Sequence, residues 1–367
     1  MQLIIPTDAK AAEALDTILD YAVSNGASDV HIDPERGALV VRMRIDGILL
    51  HCVTLSQGLH QELIARIKVL ARLRPDLHLL AQDGSFSHVR RGAGANDMRV
   101  SVVPTHFGEN AVIRIQDGGD RYADLSRLGF SPESIGVIRR ALARTQGMIL
   151  VTGPTGSGKT STMYAMLREL AREPLSIVTL EDPIECSMPG MRQIAVDHRH
   201  GINFSNGLRS IVRQDPDVIM VGEIRDKETA QIATNIALTG HLLISTLHTS
   251  DAVGAITRLG DLGIDPYLVA HTLSAIVAQR LVRMLCDVCD GDGCDACFQK
   301  GYKGRTVIAE ALEVDEEMRA YIAARLSAAE IASHARARGM MGMRDHALEK
   351  VEWGMTTVKE ARRVLDL

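Results

Sequence analysis

Aromatic residues are scarce in this sequence: five Phe, six Tyr and one Trp among 367 residues. A surface that stacks single-stranded bases would have to be assembled from very little. Positive charge is not in excess either, since 41 Lys and Arg face 46 Asp and Glu for a net charge of −5. That balance weighs against sequence-independent nucleic-acid binding, and no stable nucleic-acid partner is expected. No stretch approaches the ~18–20 consecutive apolar residues of a membrane span, and residues 1–10 lack the basic start and apolar core of a signal peptide. The sequence therefore predicts a cytoplasmic protein without a transmembrane segment. Cysteine is sparse, at six residues, and in a reducing compartment these do not build a disulfide frame. What is present is ordinary globular composition, 46% hydrophobic and 24% charged, with no internal repeat, which excludes a disordered or fibrous chain. The length predicts two or three domains.

The first part of the chain reads as a small α/β unit. Residues 11–24 are amphipathic and stop at Asn25-Gly26, a helix C-terminus. Residues 29–33 and 38–45 read as strands about a turn at 34–37, and Asp46-Gly47 is a hairpin signal leading into 48–53. A second helix is predicted over about 57–73, ending before Pro75, with strands at 97–103 and 110–116. Residues 117–126 are polar and Gly-containing, as a linker would be. Beyond them the pattern changes. Ser131-Pro132-Glu133 starts a helix with a hydroxyl cap, Pro at the first position and an early acid. Short apolar runs at 148–152, 177–180, 218–221 and 242–246 then alternate with helical segments, which argues a parallel, doubly wound sheet. From Asp315 onward the chain reads as short helices.

Gly153-Pro154-Thr155-Gly156-Ser157-Gly158-Lys159-Thr160 matches G-x-x-x-x-G-K-[ST] in full. It follows an apolar strand and opens a helix at Ser161, the context the P-loop requires. Glycines let backbone N–H groups close round phosphates, Lys159 reaches the β/γ-phosphates and the Thr160 hydroxyl ligates Mg²⁺. This predicts ATP binding. Residues 218–221 form an apolar strand leading to Glu223, where ligands of open α/β sheets bind, and a Walker B role follows: Glu223 polarises the attacking water or holds the metal's water shell. Glu181, Asp182 and Glu185 cluster just after another strand, an arrangement that calls for a metal, water or a basic partner. His241 and His248 stand at the two ends of a buried strand, and as a pair they are candidates for sensing the γ-phosphate.

Cys286-x-x-Cys289 and Cys294-x-x-Cys297 present four thiolates, which suit a structural tetrahedral Zn²⁺ site, with an iron–sulfur cluster the lesser rival. Cys52 and Cys186 lack such spacing.

These motifs, in this order, resemble the secretion and type IV pilus ATPases of the GspE/PulE/PilB family. The similar stretches are VTGPTGSGKTST (151–162), VTLEDPIE (178–185, the family's Asp box), LRSIVRQDPDVIMVGEIRD (208–226), TGHLLISTLHTSDA (239–252, the His box) and QRLVRMLC (279–286). Near the start, GASDVHIDP (26–34), RMRIDG (42–47) and QDGSF (82–86) are similar to the family's second N-terminal domain, and GMMGMRDHALEKVEWGMTT (339–357) to its C-terminal helices. The resemblance implies an N-terminal α/β, PAS-like domain over 1–118, a linker over 119–130, and a RecA-like P-loop core with a parallel sheet over 131–280. A four-cysteine segment over 281–311 and C-terminal helices over 312–367 follow. It further implies a homo-hexamer with ATP between the RecA-like and the preceding domain. Arg99 and Arg114 fall where the family places arginines that reach the nucleotide, and Arg209 and Arg213 face the nucleotide or a ring neighbour. Read without the resemblance, Arg99 and Arg114 are solvated strand arginines.

Two departures from the family pattern stand out. Set against that pattern, the chain is expected to lack the further N-terminal domain that docks on a membrane partner, and the cysteine pairs are closer together than is usual. The cysteines favour the assembly branch over the PilT-type retraction ATPases. The expected function is a motor ATPase coupling hydrolysis to pilin or pseudopilin assembly in type II secretion, type IV pilus biogenesis or DNA uptake. It would work beside an inner-membrane platform protein. A nucleic-acid or conjugation-type motor on the same core, a retraction ATPase and a non-catalytic nucleotide-binding regulator are the alternatives.

Overall fold

The computed structural model describes the whole chain except residues 1–2, 7–8, 90–93, 117–123, 173 and 366–367. Most of the predicted polar linker lies outside the described residues. The chain divides into two compact units, Met1–Asp120 with Asp292–Gly301, and Arg121–Gly291 with Tyr302–Leu367.

The first unit runs α1 (Ala11–Ser24), β1 (Ala27–Glu35), β2 (Ala38–Ile45), β3 (Ile48–Ser56), α2 (His60–Leu70), β4 (Gln82–Val89), β5 (Ala95–Thr105) and β6 (Gly108–Gln116). Its sheet has the order β3-β2-β1-β6-β5-β4 with every pairing antiparallel. Period-two alternation sorts the residues: Leu39, Val41, Met43 and Ile45 of β2 are buried, while Arg42 and Arg44 take the other face. Against the apolar face α1 lays Ala14, Leu15, Ile18 and Leu19, and α2 lays Leu63, Ile64 and Ile67, the spacing of a helix with one buried stripe. Asp46 and Gly47 both have positive φ, 49° and 81°, as the two-residue hairpin turn demands. The second helix is shorter than its pattern predicts. Its last turn closes at Leu70, and Arg72 adopts a left-handed φ of 58°, ending it before Pro75. Strand β4 is an edge strand of QDGSFSHV, too polar to be legible as a strand.

The second unit runs α3 (Pro132–Leu142), β7 (Gly147–Thr152), α4 (Lys159–Leu170), β8 (Ile177–Glu181), β9 (Arg192–Ala195), α5 (Phe204–Ile211), β10 (Val218–Val221), α6 (Lys227–Leu238) and β11 (Leu242–Leu247). There follow α7 (Ala252–Asp261), α8 (Pro266–Thr272), β12 (Leu273–Leu285), β13 (Tyr302–Glu313), α9 (Glu316–Ala323), α10 (Ala328–Ala337), α11 (Met343–Glu352) and α12 (Val358–Val364). The sheet order is β13-β12-β7-β11-β10-β8-β9, and all pairs are parallel except β12 with β13. Every residue of β7, β8, β10 and β11 is buried, because helices cover both faces of a parallel sheet. Met148, Leu150, Ile219, Val221 and Leu243 join the core under α5 to α8, while Ile149, Val151, Val218, Met220 and Ile244 join the core under α3 and α4. The four-cysteine loop is the turn between β12 and β13, and the C-terminal helices come after it.

Helix α11 packs the fully buried His346 against β13, where Nδ1 accepts from the Ala309 N–H at 3.1 Å. Burial, and then the charge of Lys350, push its pKa down from 6.5 to about 4. Above pH 6.5 neither state binds the proton. Between 6.5 and 4 the unfolded chain takes up a proton that the folded chain refuses, so stability falls with pH by about 3 kcal/mol over that window. Urea unfolding should show this acid-side loss, and His346→Gln should flatten it. An unchanged pH slope in the variant would refute the assignment.

Candidate functional site: a phosphate loop and its acids

The loop 153–158 leaves β7 at its carboxyl end and enters α4. Thr152 ties that end to β11 through Oγ1, which donates to the Leu247 carbonyl at 3.0 Å. Gly153 holds φ +146°, and a Cβ there would come within 2.5 Å of the Gln279 carbonyl oxygen, so no other residue fits. α4 starts at Lys159. Its unpaired first-turn N–H groups and helix dipole face the loop and favour an anion there. Pro154, Thr155 and Gly156 are exposed at the tip and Ser157 is buried; Thr160 and Ser161 are half-buried on the first turn. Lys159 Nζ folds over the loop and donates to the carbonyls of Gly153 at 2.9 Å and Pro154 at 3.1 Å. Burial pulls its pKa down, with the Glu223 carboxylate opposing. A phosphate would relieve that cost.

A cavity of about 140 Å³ brings together Lys159, Thr160, Asp182, Glu185, Glu223 and His248, all at or beyond the carboxyl ends of parallel strands, where such sheets bind ligands. Glu223 Oε1 pairs with Arg225 at 2.5 Å and Oε2 lies 3.5 Å from His248 Nε2. The oxygen donors beside Thr160 are the kind a hard divalent cation takes. Glu181 also lines the cavity, yet its carboxylate is committed: it accepts from the Tyr164 hydroxyl, from Thr179 Oγ1 at 2.6 Å and from Gln193 Nε2 at 3.1 Å. Burial, and then that hydrogen bond, hold the Tyr164 phenol well above its ordinary pKa, so it stays protonated. Glu181 thus reads as a wall of the site.

The two histidines part company. His248 faces Glu223, whereas the His241 carbonyl accepts from the N–H of Gly147, the first residue of β7, at 3.1 Å. His241 therefore sits at the opposite edge of the sheet, roughly 20 Å away along the strand. Arg209 pairs with Glu228 at 3.0 Å and Arg213 donates to the Arg209 carbonyl at 2.9 Å, both on the surface, and neither lines the cavity. In the first unit Arg99 and Arg114 stand directly opposite each other in register, and Arg114 Nε pairs with Asp29 at 3.0 Å. Like charges so placed repel, and the Asp29 carboxylate offsets that repulsion at Arg114.

Two residues of the site were not legible beforehand. Gln279 and Arg280 sit in an apolar strand with no spacing of their own to mark them, although both belong to the QRLVRMLC stretch. Gln279 binds the phosphate loop, and Arg280 Nη2 donates to the Ser250 carbonyl at 2.8 Å, beside His248.

The sulfurs of Cys286, Cys289, Cys294 and Cys297 all lie within 4.8 Å of one another, and those of Cys294 and Cys297 are 3.7 Å apart. A tetrahedron with metal–sulfur bonds of ~2.3 Å has edges of about 3.8 Å, so the donor set fits a ZnS₄ site. Backbone N–H groups of Cys294 and Gly301 each donate to Cys297 Sγ at 3.2 Å, as they would to a thiolate.

Residues 6–363 match the Type II/IV secretion system protein family. The chain is 42% identical over 382 residues to the type II secretion system ATPase E of Vibrio cholerae, covering 97% of this chain and 76% of that one. It is 39% identical over 380 residues to the type IV pilus assembly ATPase PilB of Thermus thermophilus, covering 96% of this chain and 43% of that one. Its fold is similar to the crystal structure of the Legionella pneumophila ATPase DotB, with a TM-score of 0.78, 25% identity and coverage of 98% and 97% of the two chains. The phosphate loop, the acids beyond the strand ends and the order of the motifs thus agree with the match along nearly the whole chain, which belongs to the Type II/IV secretion system protein family.

Proposed function

We propose that this protein is a motor ATPase that hydrolyses Mg²⁺–ATP to drive pilin or pseudopilin assembly in a type II secretion or type IV pilus machine. The observation that carries the reading is the single cavity in which Lys159 and Thr160 of the phosphate loop meet Glu223, Glu185 and His248. In it, Lys159 and the α4 N-terminus take the β/γ-phosphates, and the Thr160 hydroxyl with nearby acid-bound water takes Mg²⁺. Glu223 orients and deprotonates the attacking water. His248, within reach of Glu223, registers loss of the γ-phosphate. The relatives, a type II secretion system ATPase and a type IV pilus assembly ATPase, support the choice of machine, and the family resemblance of the motifs implies a hexameric ring beside an inner-membrane platform. Among the described residues no helix is long and apolar enough to cross a membrane.

The facing pair Arg99 and Arg114 supports a trans-acting role, in which the ring brings these charges to the phosphates. Specific activity should then rise with protein concentration. Arg114→Ala should lower hydrolysis while sparing nucleotide affinity more than Lys159→Ala does, since a finger charge matters most in the transition state. Phosphate release measured across a dilution series tests this. A fully active monomer at high dilution rules out the ring, and absence of Mg²⁺-dependent release rules out the ATPase.

The four-cysteine site is read as structural zinc. Metal analysis of protein purified without chelator should find about one zinc per chain, because four thiolates leave no open position. Cys289→Ser should lower the melting temperature before it alters ATP affinity, since metal binding energy here is local folding energy. Zinc-free, fully stable protein would overturn the assignment.

A further inference from the structure

Strand β12 reaches further than the strand beside it. Its parallel register with β7 ends at Ala278 opposite Thr152, yet it continues to Leu285, so its next residues run beside the loop 153–158. Gln279 is the first of them and is fully buried. Its Nε2 donates to the Ser157 carbonyl at 2.7 Å, and its Oε1 accepts from Thr162 Oγ1 of α4 at 2.7 Å. Its own carbonyl oxygen occupies the space that a side chain on Gly153 would need. One residue therefore touches the loop at its start and its end, and the helix that follows. Arg280 extends the same support to the neighbouring loop, donating to the Ser250 carbonyl at 2.8 Å and to the Gln279 carbonyl at 3.0 Å. Gln279 does not line the cavity that holds the acids.

We propose that Gln279 is a positioning residue for nucleotide binding, which aims the backbone N–H groups of the loop at the phosphates. The proposal rests on the reading of this site as an ATP site. A trans peptide is planar, so the Ser157 carbonyl and the Gly158 N–H point in opposite directions. Fixing the carbonyl on Gln279 turns that N–H away from β12 and into the hollow of the loop. The task needs a donor and an acceptor side by side at the end of one side chain, which an amide supplies. Leucine keeps the volume and loses both bonds, leaving a buried carbonyl and hydroxyl unsatisfied. Glutamate keeps the acceptor and sets a carboxylate against the Ser157 carbonyl; once protonated, its O–H restores the donor.

The test measures KM and kcat for ATP, the Kd of a fluorescent ATP analogue and the melting temperature of the full chain. Gln279→Leu should raise KM and Kd about tenfold, the scale of one buried unsatisfied group, with kcat changed far less. Gln279→Glu should bind ATP weakly at neutral pH and recover towards the wild-type affinity as pH is lowered, a recovery that simple loss of packing does not produce. A folded Gln279→Leu with wild-type KM and Kd overturns the proposal. If that variant does not fold, a Gln279→Glu variant whose affinity parallels the wild type at every pH overturns it. A wild-type protein that neither binds nor hydrolyses ATP refutes the underlying reading of the site, a separate result.

Discussion

Lys159→Ala is expected to abolish ATP turnover, with a loss of at least about a hundredfold, the scale of removing one preorganised charge partner from a reacting centre. The side chain is half-buried and its Nζ is held by two carbonyls of its own loop, Gly153 and Pro154. Those bonds tie the ammonium to neutral acceptors in a site that disfavours its charge. A triphosphate offers the compensation the loop carbonyls do not, so the exchange favours binding as well as chemistry. Nucleotide affinity should therefore fall along with kcat. Phosphate release and binding of a fluorescent nucleotide measure the two separately, and near-normal turnover would remove Lys159 from the site.

Glu223→Gln should behave differently: ATP affinity kept within about threefold, turnover lost by about 10²–10⁴, the usual contribution of a positioned general base. The amide preserves shape and a hydrogen bond to Arg225, and it cannot accept a proton from water. The carboxylate supports the Lys159 charge against burial, and in the nucleotide complex the triphosphate takes over that support, so the phosphate-facing charge is kept. If the variant hydrolyses ATP normally, Glu185 on the wall of the same cavity becomes the base to test. Arg225, exposed and paired with Glu223, is the control: Arg225→Ala should leave turnover within a few-fold.

Much of the architecture was legible because its signals are local. Asn25 and Gly26 end α1 where the pattern ends, with the Asn25 N–H bonded to the Tyr21 carbonyl at 3.1 Å. Ser131 caps α3, its Oγ accepting from the Ser134 N–H at 3.2 Å. The four buried strands of the parallel sheet announce themselves as apolar runs because both their faces are covered. Strands β4 and β9 gave no such run: one is a polar edge strand, the other four residues, RQIA, at the sheet margin. The antiparallel pair β12–β13 was hidden differently. The cysteine spacing drew the eye to its turn, while its ladder joins residues 275 and 313 across a long loop, a pairing that no short window contains.

The sequence by itself determined the chemical inventory: a phosphate loop, an acid after an apolar strand, a second acidic cluster, two histidines and four thiols at metal spacing. Each is a short, contiguous pattern whose chemistry depends on neighbours a few residues away. Only the tertiary structure decided which members act together. Parallel register sets the carboxyl ends of β7, β8, β10 and β11 on one edge, and so it separates His248, beside Glu223, from His241 at the far edge. Side-chain partners from other elements decided that Glu181 is spent on Tyr164, Thr179 and Gln193, while Glu223 faces Arg225 and His248. The brace by Gln279 spans 122 residues of chain to reach Ser157. Such contacts exist only once loop closure has been offset by the burial of the sheet, and for that reason local pattern carried no trace of them.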